Sequence, residues 1–374
     1  MKIGFDAKRA VQNNTGLGNY SRRVIEALSG EFPDNKYVLF APRRRENVRL
    51  RTILGRGNVS WVFPRGAARW LPSLWRTFGM SREMRRNGIE VFHGLSNEIP
   101  WGLRRTGVRS VVTVHDLIFM RFPEYYKWID RWIYRLKFRY ACRKADRIVA
   151  ASECTKRDIV RYFGVPEGKI EVVYQGCDPS FSRRATEVEK RELVARYGLP
   201  RRFVLSVGSI EARKNGLVIV EALRDLPADV HVVLVGRQTS YQRRIETFAA
   251  DCGLTSRVHI FNCFPFADLP ALYQSAELFV YPSFFEGFGI PVIEALTSGV
   301  PVIAATGSCL EEAGGEDSVY VHPSDCRALA AEIAVLLEDK GAAARMSERG
   351  KEYVRRFDDE HTCRALMRIY RDLR

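Results

Sequence analysis

Thirteen short apolar runs, each followed by a helical stretch or turn, constrain this chain more than any other feature. In the first half they are Lys2–Phe5, Tyr37–Phe40, Val59–Phe63, Val91–His93, Ser110–Val114, Arg147–Ala150 and Ile170–Tyr174. In the second half they are Phe203–Val207, His231–Val235, Val258–Phe261, Leu278–Tyr281, Val302–Ala305 and Val319–Val321. A strand exposed on one face alternates apolar and polar residues, whereas these runs are almost continuously apolar. That is the pattern of strands covered on both faces, as in parallel sheets wrapped by crossover helices. The expected fold class is therefore α/β, built from βαβ units.

A chain of 374 residues is long enough for two such domains, each with its own core. Between the two sets of runs lies Asp178-Pro179-Ser180-Phe181-Ser182-Arg183-Arg184, followed by the charged stretch Glu187–Glu192. Turn formers and charge there mark the expected linker, giving domains 1–178 and 179–355 with a helical, basic C-terminal segment.

Bulk properties exclude several classes. No apolar run approaches the roughly 20 residues that span a bilayer, and residues 1–30 lack the apolar centre of a signal peptide, so the chain is expected to remain in the cytoplasm. None of the eight cysteines forms a Cys-x-x-Cys pair, which argues against zinc and thiol-redox sites. The net charge of +15 is uneven: residues 1–150 carry 30 Lys and Arg against 12 Asp and Glu, and residues 251–350 carry 5 against 14. A basic N-terminal half suits an anionic partner: a membrane leaflet, a lipid pyrophosphate or nucleic acid. Helix-turn-helix, zinc and ribonucleoprotein signatures are missing, so nucleic acid is the weakest of these.

Five segments carry candidate chemistry. In Ser283-Phe284-Phe285-Glu286-Gly287-Phe288-Gly289-Ile290-Pro291-Val292-Ile293-Glu294-Ala295, two carboxylates flank a glycine loop between an apolar strand and a helix opening near Pro291. Free amides at such a helix start attract anions and hydroxyl oxygens. Thr15-Gly16-Leu17-Gly18-Asn19-Tyr20-Ser21 is a second glycine loop, expected to precede a helix over 22–28. His115-Asp116 ends an apolar run, where open α/β sheets bind ligands; Asp116 either orients the ring or caps the next segment. His93-Gly94-Leu95-Ser96-Asn97-Glu98 also ends a run, with polar groups suited to a ligand's hydroxyls or to a plain loop. Finally, Ser209-Ile210-Glu211-Ala212-Arg213-Lys214 offers cations that can neutralise a diphosphate.

The 283–295 string resembles the Glu-x7-Glu signature of retaining GT-B glycosyltransferases, in particular glycosyltransferase family 4, and the likeness extends over nearly the whole chain. The resemblance implies two Rossmann-like domains with parallel sheets facing across a cleft, and a C-terminal helix, 356–374, that packs back on the first domain. It implies that the N-terminal domain takes the acceptor and the C-terminal domain the nucleotide sugar. On that basis Glu286, His115, Arg213 and Lys214 are the catalytic candidates. Gly16, Gly18, Ser209, Gly287, Phe288, Gly289, Ile290 and Glu294 are the donor-binding ones, with Glu294 on the ribose. Asp6, Arg9, Asn97, Glu98 and Asp116 are placed on the acceptor side. Many relatives have Pro where Ala212 stands and some have Arg where Ser209 stands, which leaves the second cation contact to the diphosphate open.

The activity so implied is transfer of a hexose from GDP-mannose or a UDP-sugar to a glycan or lipid-linked acceptor, with retention. No cofactor is implied, and without an Asp-x-Asp at a metal position no required metal is expected. Residues 61–86 interleave Trp61, Phe63, Trp70, Trp75 and Phe78 with arginines, which suits either an amphipathic core helix or peripheral contact with an anionic membrane. The competing readings are a sugar-nucleotide epimerase or hydrolase on the same fold, and a nucleic-acid-binding protein.

Overall fold

The computed structural model describes residues 1–13, 15–45 and 47–374. All thirteen apolar runs are strands, divided between two wholly parallel sheets. The first contains β1 (Lys2–Asp6), β2 (Lys36–Phe40), β3 (Val59–Val62), β4 (Val91–Gly94), β5 (Arg109–Val114), β6 (Arg147–Ala150) and β7 (Ile170–Val172). Its strand order is β3-β2-β1-β4-β5-β6-β7. The second contains β8 (Phe203–Val207), β9 (His231–Val235), β10 (Val258–Phe261), β11 (Leu278–Tyr281), β12 (Val302–Ala305) and β13 (Val319–Val321), in the order β10-β9-β8-β11-β12-β13.

Both orders reverse direction once. In the first sheet the chain winds outward from β1 to β3, then restarts on the other side of β1 at β4; in the second it does the same from β8 and restarts at β11. Loops leaving the carboxyl ends of β1 and β4, and of β8 and β11, therefore diverge around a crevice, the place where open α/β sheets bind ligands. All four loops carry residues singled out above.

Two compact units result, Met1–Gln175 with Asp359–Arg374, and Gly176–Asp358. The first break thus falls between Gln175 and Gly176, ahead of the turn-rich 178–184 segment. The helix Asp359–Asp372 shares a buried cluster with β1, β2 and the helix Gly16–Glu31: Ile3, Leu39, Ile25, Leu366 and Tyr370 lie within it. Arg23 pairs with Asp359 at 2.5 Å, and Thr362 donates to the Tyr174 carbonyl at 3.0 Å.

Two local expectations are corrected. The helix after the first glycine pair starts at Gly16 rather than Arg22, so Gly16 and Gly18 form its first turn instead of a preceding loop. A side chain at position 18 is impossible there, since a Cβ would lie 1.8 Å from the Asn13 carbonyl oxygen. Residues 61–86 are not one helix. They comprise the end of β3, short turns at Gly66–Arg69 and Pro72–Leu74, a wide turn at Trp75–Gly79 and the helix Met80–Arg86. Pro64 and Pro72 interrupt backbone hydrogen bonding, and the wide turn lets Trp75 reach the core while Trp70 and Phe78 stay outside.

Candidate active site

In the second unit, β8 and β11 are hydrogen-bonded neighbours, with Leu278 opposite Val204. Their exits therefore meet, although 72 residues separate Lys214 from Glu286. The loop after β8 is locked by Asn215, whose backbone sits in the left-handed region at φ 58°. Asparagine tolerates that conformation, and the buried Asn215 amide donates to the carbonyls of Pro282 (3.2 Å) and Pro323 (2.6 Å). The loop after β11 ends at Gly289, φ 108°, which starts the helix Ile290–Thr297. A Cβ at Gly289 would approach Leu310 Cδ2 to 2.7 Å, so both backbone angle and space require glycine.

The result is a carboxylate held from three sides. Glu286 Oε1 accepts from Arg213 Nη1 (2.9 Å), Lys214 Nζ (2.5 Å) and Ser283 Oγ (2.5 Å). Arg213 also donates to the Phe285 carbonyl (2.6 Å) and to Glu211 (2.7 Å), and Lys214 donates to the Tyr281 hydroxyl (2.5 Å). Burial by itself would raise the Glu286 carboxyl, but Lys214 and then Arg213 outweigh it and hold it below the usual carboxylate range. Burial pulls Lys214 below the usual lysine value, with Glu286 opposing. Such an ionised carboxylate, with three donors on one oxygen, suits positioning and charge balance rather than proton donation.

Glu294 projects from the first turns of the helix that Gly289 opens. Its Oε2 accepts from the Tyr273 hydroxyl at 2.9 Å, and burial pushes its carboxyl up to about 7. The two glutamates of the motif thus have opposite characters: one is surrounded by cations, the other has a phenol. Ser209 and Lys214 line a pocket of about 290 Å³ with Gly208, Leu234, Val235 and Tyr281. Phe288 packs edge-on against Phe357 at 5.3 Å and is buried.

In the first unit, β5 delivers His115. Its backbone N–H donates to Asn97 Oδ1 (2.9 Å), and its Nε2 lies 2.9 Å from the Leu95 carbonyl. A carbonyl only accepts, so Nε2 carries the proton and Nδ1 keeps its lone pair. Burial pushes His115 down to about 4, with Arg9 adding a smaller push. Asp116 Oδ1 accepts from Ile118 N–H (3.2 Å), which ties it to the start of the next turn. Asn97, at φ 62°, ties its N–H to Thr113 O (2.8 Å), so both its backbone and its amide oxygen brace β5.

Behind His115 runs a buried polar chain. Tyr20 packs its ring edge-on to His115 at 4.6 Å and shares a hydrogen bond with Thr113 Oγ1 (3.0 Å). Thr113 in turn bonds His93 Nε2 (2.8 Å), and His93 Nδ1 bonds the Tyr370 hydroxyl of the C-terminal helix (2.6 Å). Burial, then His115, pushes His93 down to about 3.

Asp6, at the end of β1, and Glu98, after β4, are joined by a residue that was not among the candidates. Arg76 donates through Nε to Asp6 (2.8 Å) and pairs through Nη1 with Glu98 (2.5 Å). These groups line a pocket of about 340 Å³ with Met80, Trp101, Lys137 and Tyr140. No sequence signal separates Arg76 from its basic neighbours; the wide turn at Trp75–Gly79 turns it inward. Among the described residues, no group of three His, Cys, Asp or Glu side chains is arranged to hold a metal ion.

Two family descriptions match the two halves of the chain: Glycosyltransferase Family 4 over residues 15–181, and Glycosyl transferases group 1 over residues 190–353. The chain belongs to glycosyltransferase family 4. It is a glycosyltransferase of GT-B type. The O-antigen chain mannosyltransferase B of Escherichia coli is 27% identical over 75% of this chain and 74% of its own length. A D-inositol 3-phosphate glycosyltransferase of Corynebacterium glutamicum is 30% identical over 61% of this chain, which spans 57% of that relative. Among solved structures, a glycosyltransferase from Rickettsia africae superposes with a TM-score of 0.78 at 18% identity, covering 100% of this chain and 98% of its own. Anabaena HepE in complex with UDP and glucose gives 0.75 at 18%, covering 100% of both chains. At such identities these two likenesses concern the fold.

Proposed function

We propose that this glycosyltransferase moves a hexose from a nucleoside diphosphate sugar to a glycan or lipid-linked acceptor, with retention of anomeric configuration. The observation that carries the reading is the convergence of Arg213, Lys214 and Glu286 at the switch point of the second sheet. Two cations there match a leaving diphosphate, whose oxygens gain charge as the glycosidic bond breaks. The carboxylate that balances them in the free protein then hydrogen-bonds the sugar. Glu294 receives the ribose hydroxyls, and the amides after Gly287 and Gly289 border the phosphates. Ser209 and Ile290 complete the donor side of the second unit through close backbone approach.

In this reading the first unit binds the acceptor, with Asp6, Glu98 and Arg76 facing its hydroxyls or phosphate and His115 supporting the sugar as a neutral ring. The bond from the anomeric carbon to the phosphate oxygen breaks, the bond to the acceptor oxygen forms on the same face, and the acceptor proton passes to the departing phosphate. Positive charge on the diphosphate comes from side chains, so no required metal enters the scheme. GDP-mannose is the preferred donor, supported by the mannosyltransferase among the relatives; UDP-sugars follow. Peripheral contact with an anionic membrane belongs to the same reading, supported by the basic first half. Among the described residues no helix is long and apolar enough to cross a membrane.

The test is thermal stabilisation by GDP, UDP, ADP and dTDP and their sugar conjugates, on wild type and Glu294→Ala. One nucleotide should stabilise selectively and lose most of its effect in the variant. Absence of stabilisation by every one of them would overturn the donor assignment.

A further inference from the structure

The helix Trp128–Lys144 has two apolar faces. Phe138, Ala141 and Cys142 are buried against the first unit. Trp128, Ile129, Trp132, Ile133 and Leu136 are exposed, with Trp128 at 75% and Trp132 at 62%. Positions 128, 132 and 136, and 129 and 133, are four apart and so form one outward stripe. Around a helix, Arg135 and Arg139 fall on one edge of that stripe, and Lys137 and Lys144 on the other. Asp130 is the only acidic residue between 127 and 144, against seven Lys and Arg.

The stripe has a neighbour. Trp101 stacks on Tyr140 of this helix at 4.9 Å, and Phe78 meets Trp101 at 5.7 Å. Phe78 and Trp101 are themselves about half exposed, at 56% and 46%. A row of aromatic groups therefore runs from the helix to the wide turn. Trp101 and Tyr140 also line the pocket that holds Arg76.

We infer that this stripe, rather than the 61–86 segment alone, is the surface by which the enzyme docks on an anionic phospholipid bilayer. The inference deepens the membrane contact proposed above and rests on it. An exposed apolar stripe of this size requires a cover. The flanking cations choose among covers: a second copy would bring like charges together, whereas an anionic leaflet complements them. Tryptophan suits the interface because its ring is apolar and its N–H remains hydrated. Docking in this way sets the pocket of Asp6, Arg76 and Glu98 beside the bilayer, where a lipid-linked acceptor presents its head group.

The test is co-sedimentation of the full chain with vesicles of phosphatidylglycerol and phosphatidylethanolamine, and with phosphatidylcholine vesicles, at low and high salt. Wild type should bind the anionic vesicles alone, and more weakly as salt rises. Arg135→Gln with Arg139→Gln should reduce partitioning about thirtyfold, from about 1 kcal/mol per charge. Trp128→Ser with Trp132→Ser should reduce it about tenfold or more without lowering the melting temperature, since both rings are exposed. Val335→Ser, an exposed apolar position of the second unit, is the control and should change nothing. If wild type binds anionic vesicles and the Trp pair does not matter, the docking face is wrong while membrane contact stands. If wild type binds no vesicle, both fail. If wild type is a dimer in solution and the Trp pair makes it a monomer, the cover is a second copy and the inference is overturned.

Discussion

Replacing Glu286 with Ala removes the one carboxylate oxygen shared by Arg213, Lys214 and Ser283. Two largely buried cations then lose their common counter-charge. Breaking a buried ion pair from one side costs about 3–5 kcal/mol, because the remaining charge stays desolvated. Here the lower end applies, since Arg213 keeps Glu211 and the Phe285 carbonyl, and Lys214 keeps the Tyr281 hydroxyl. The expected loss is about 3 kcal/mol in the second unit. At about 2–4 °C per kcal/mol for a domain of this size, its melting temperature should fall by about 6–12 °C. A nucleoside diphosphate would replace the missing anion. The variant should therefore be stabilised more by the matching diphosphate than wild type is, while turnover collapses through lost positioning of the sugar. Calorimetric unfolding with and without nucleotide reads the first effect, and product formation from the sugar nucleotide reads the second. A variant as stable as wild type without nucleotide would refute the charge-balance argument. Wild-type turnover would refute the assignment of Glu286 to the reaction.

Three further outcomes follow from the same geometry. Glu294 is raised to about 7 in the folded chain from an ordinary 4.5, so its stabilising contribution is complete below pH 4.5 and lost as pH rises to about 7. Glu294→Gln should flatten the stability profile over that window, by about 3 kcal/mol, as read by urea unfolding at several pH values. His93 and His115 are lowered to about 3 and about 4 from 6.5, so their contribution is present above pH 6.5 and lost as pH falls. Stability should therefore fall with pH below about 6.5, by up to about 3 kcal/mol per pH unit for the two together, and less steeply in a variant carrying one of them as Asn. Gly289→Ala should destabilise the second unit by about 2 kcal/mol or more, because alanine meets both a positive φ and Leu310; denaturant titration checks it.

The strands were legible in the sequence because covering a parallel strand on both faces leaves an apolar run that nothing else in the chain imitates. The Glu286–Glu294 segment was equally legible, since a glycine at positive φ followed by a helix start leaves a fixed local spacing. Less was legible where a residue's role depends on a distant neighbour. Asp116 carries no mark showing whether it serves the imidazole or takes the Ile118 N–H. Arg76 looks like the arginines around it until a wide turn points it at Asp6 and Glu98. The glycine pair 16 and 18 reads as a loop, yet it is helical, because the constraint at Gly18 is the Asn13 carbonyl behind it.

By itself, then, the sequence determined the local periods: which runs are strands, which turns demand glycine, and which family the motifs belong to. Tertiary structure decided which of those pieces meet. Placing β8 beside β11 brings Arg213 and Lys214 onto Glu286, and placing the last helix on the first unit brings Tyr370 onto His93. It also decided which apolar face of the helix Trp128–Lys144 is core and which is left outward. Helical spacing makes both faces look alike, and only packing against the neighbouring elements tells Phe138 from Trp132.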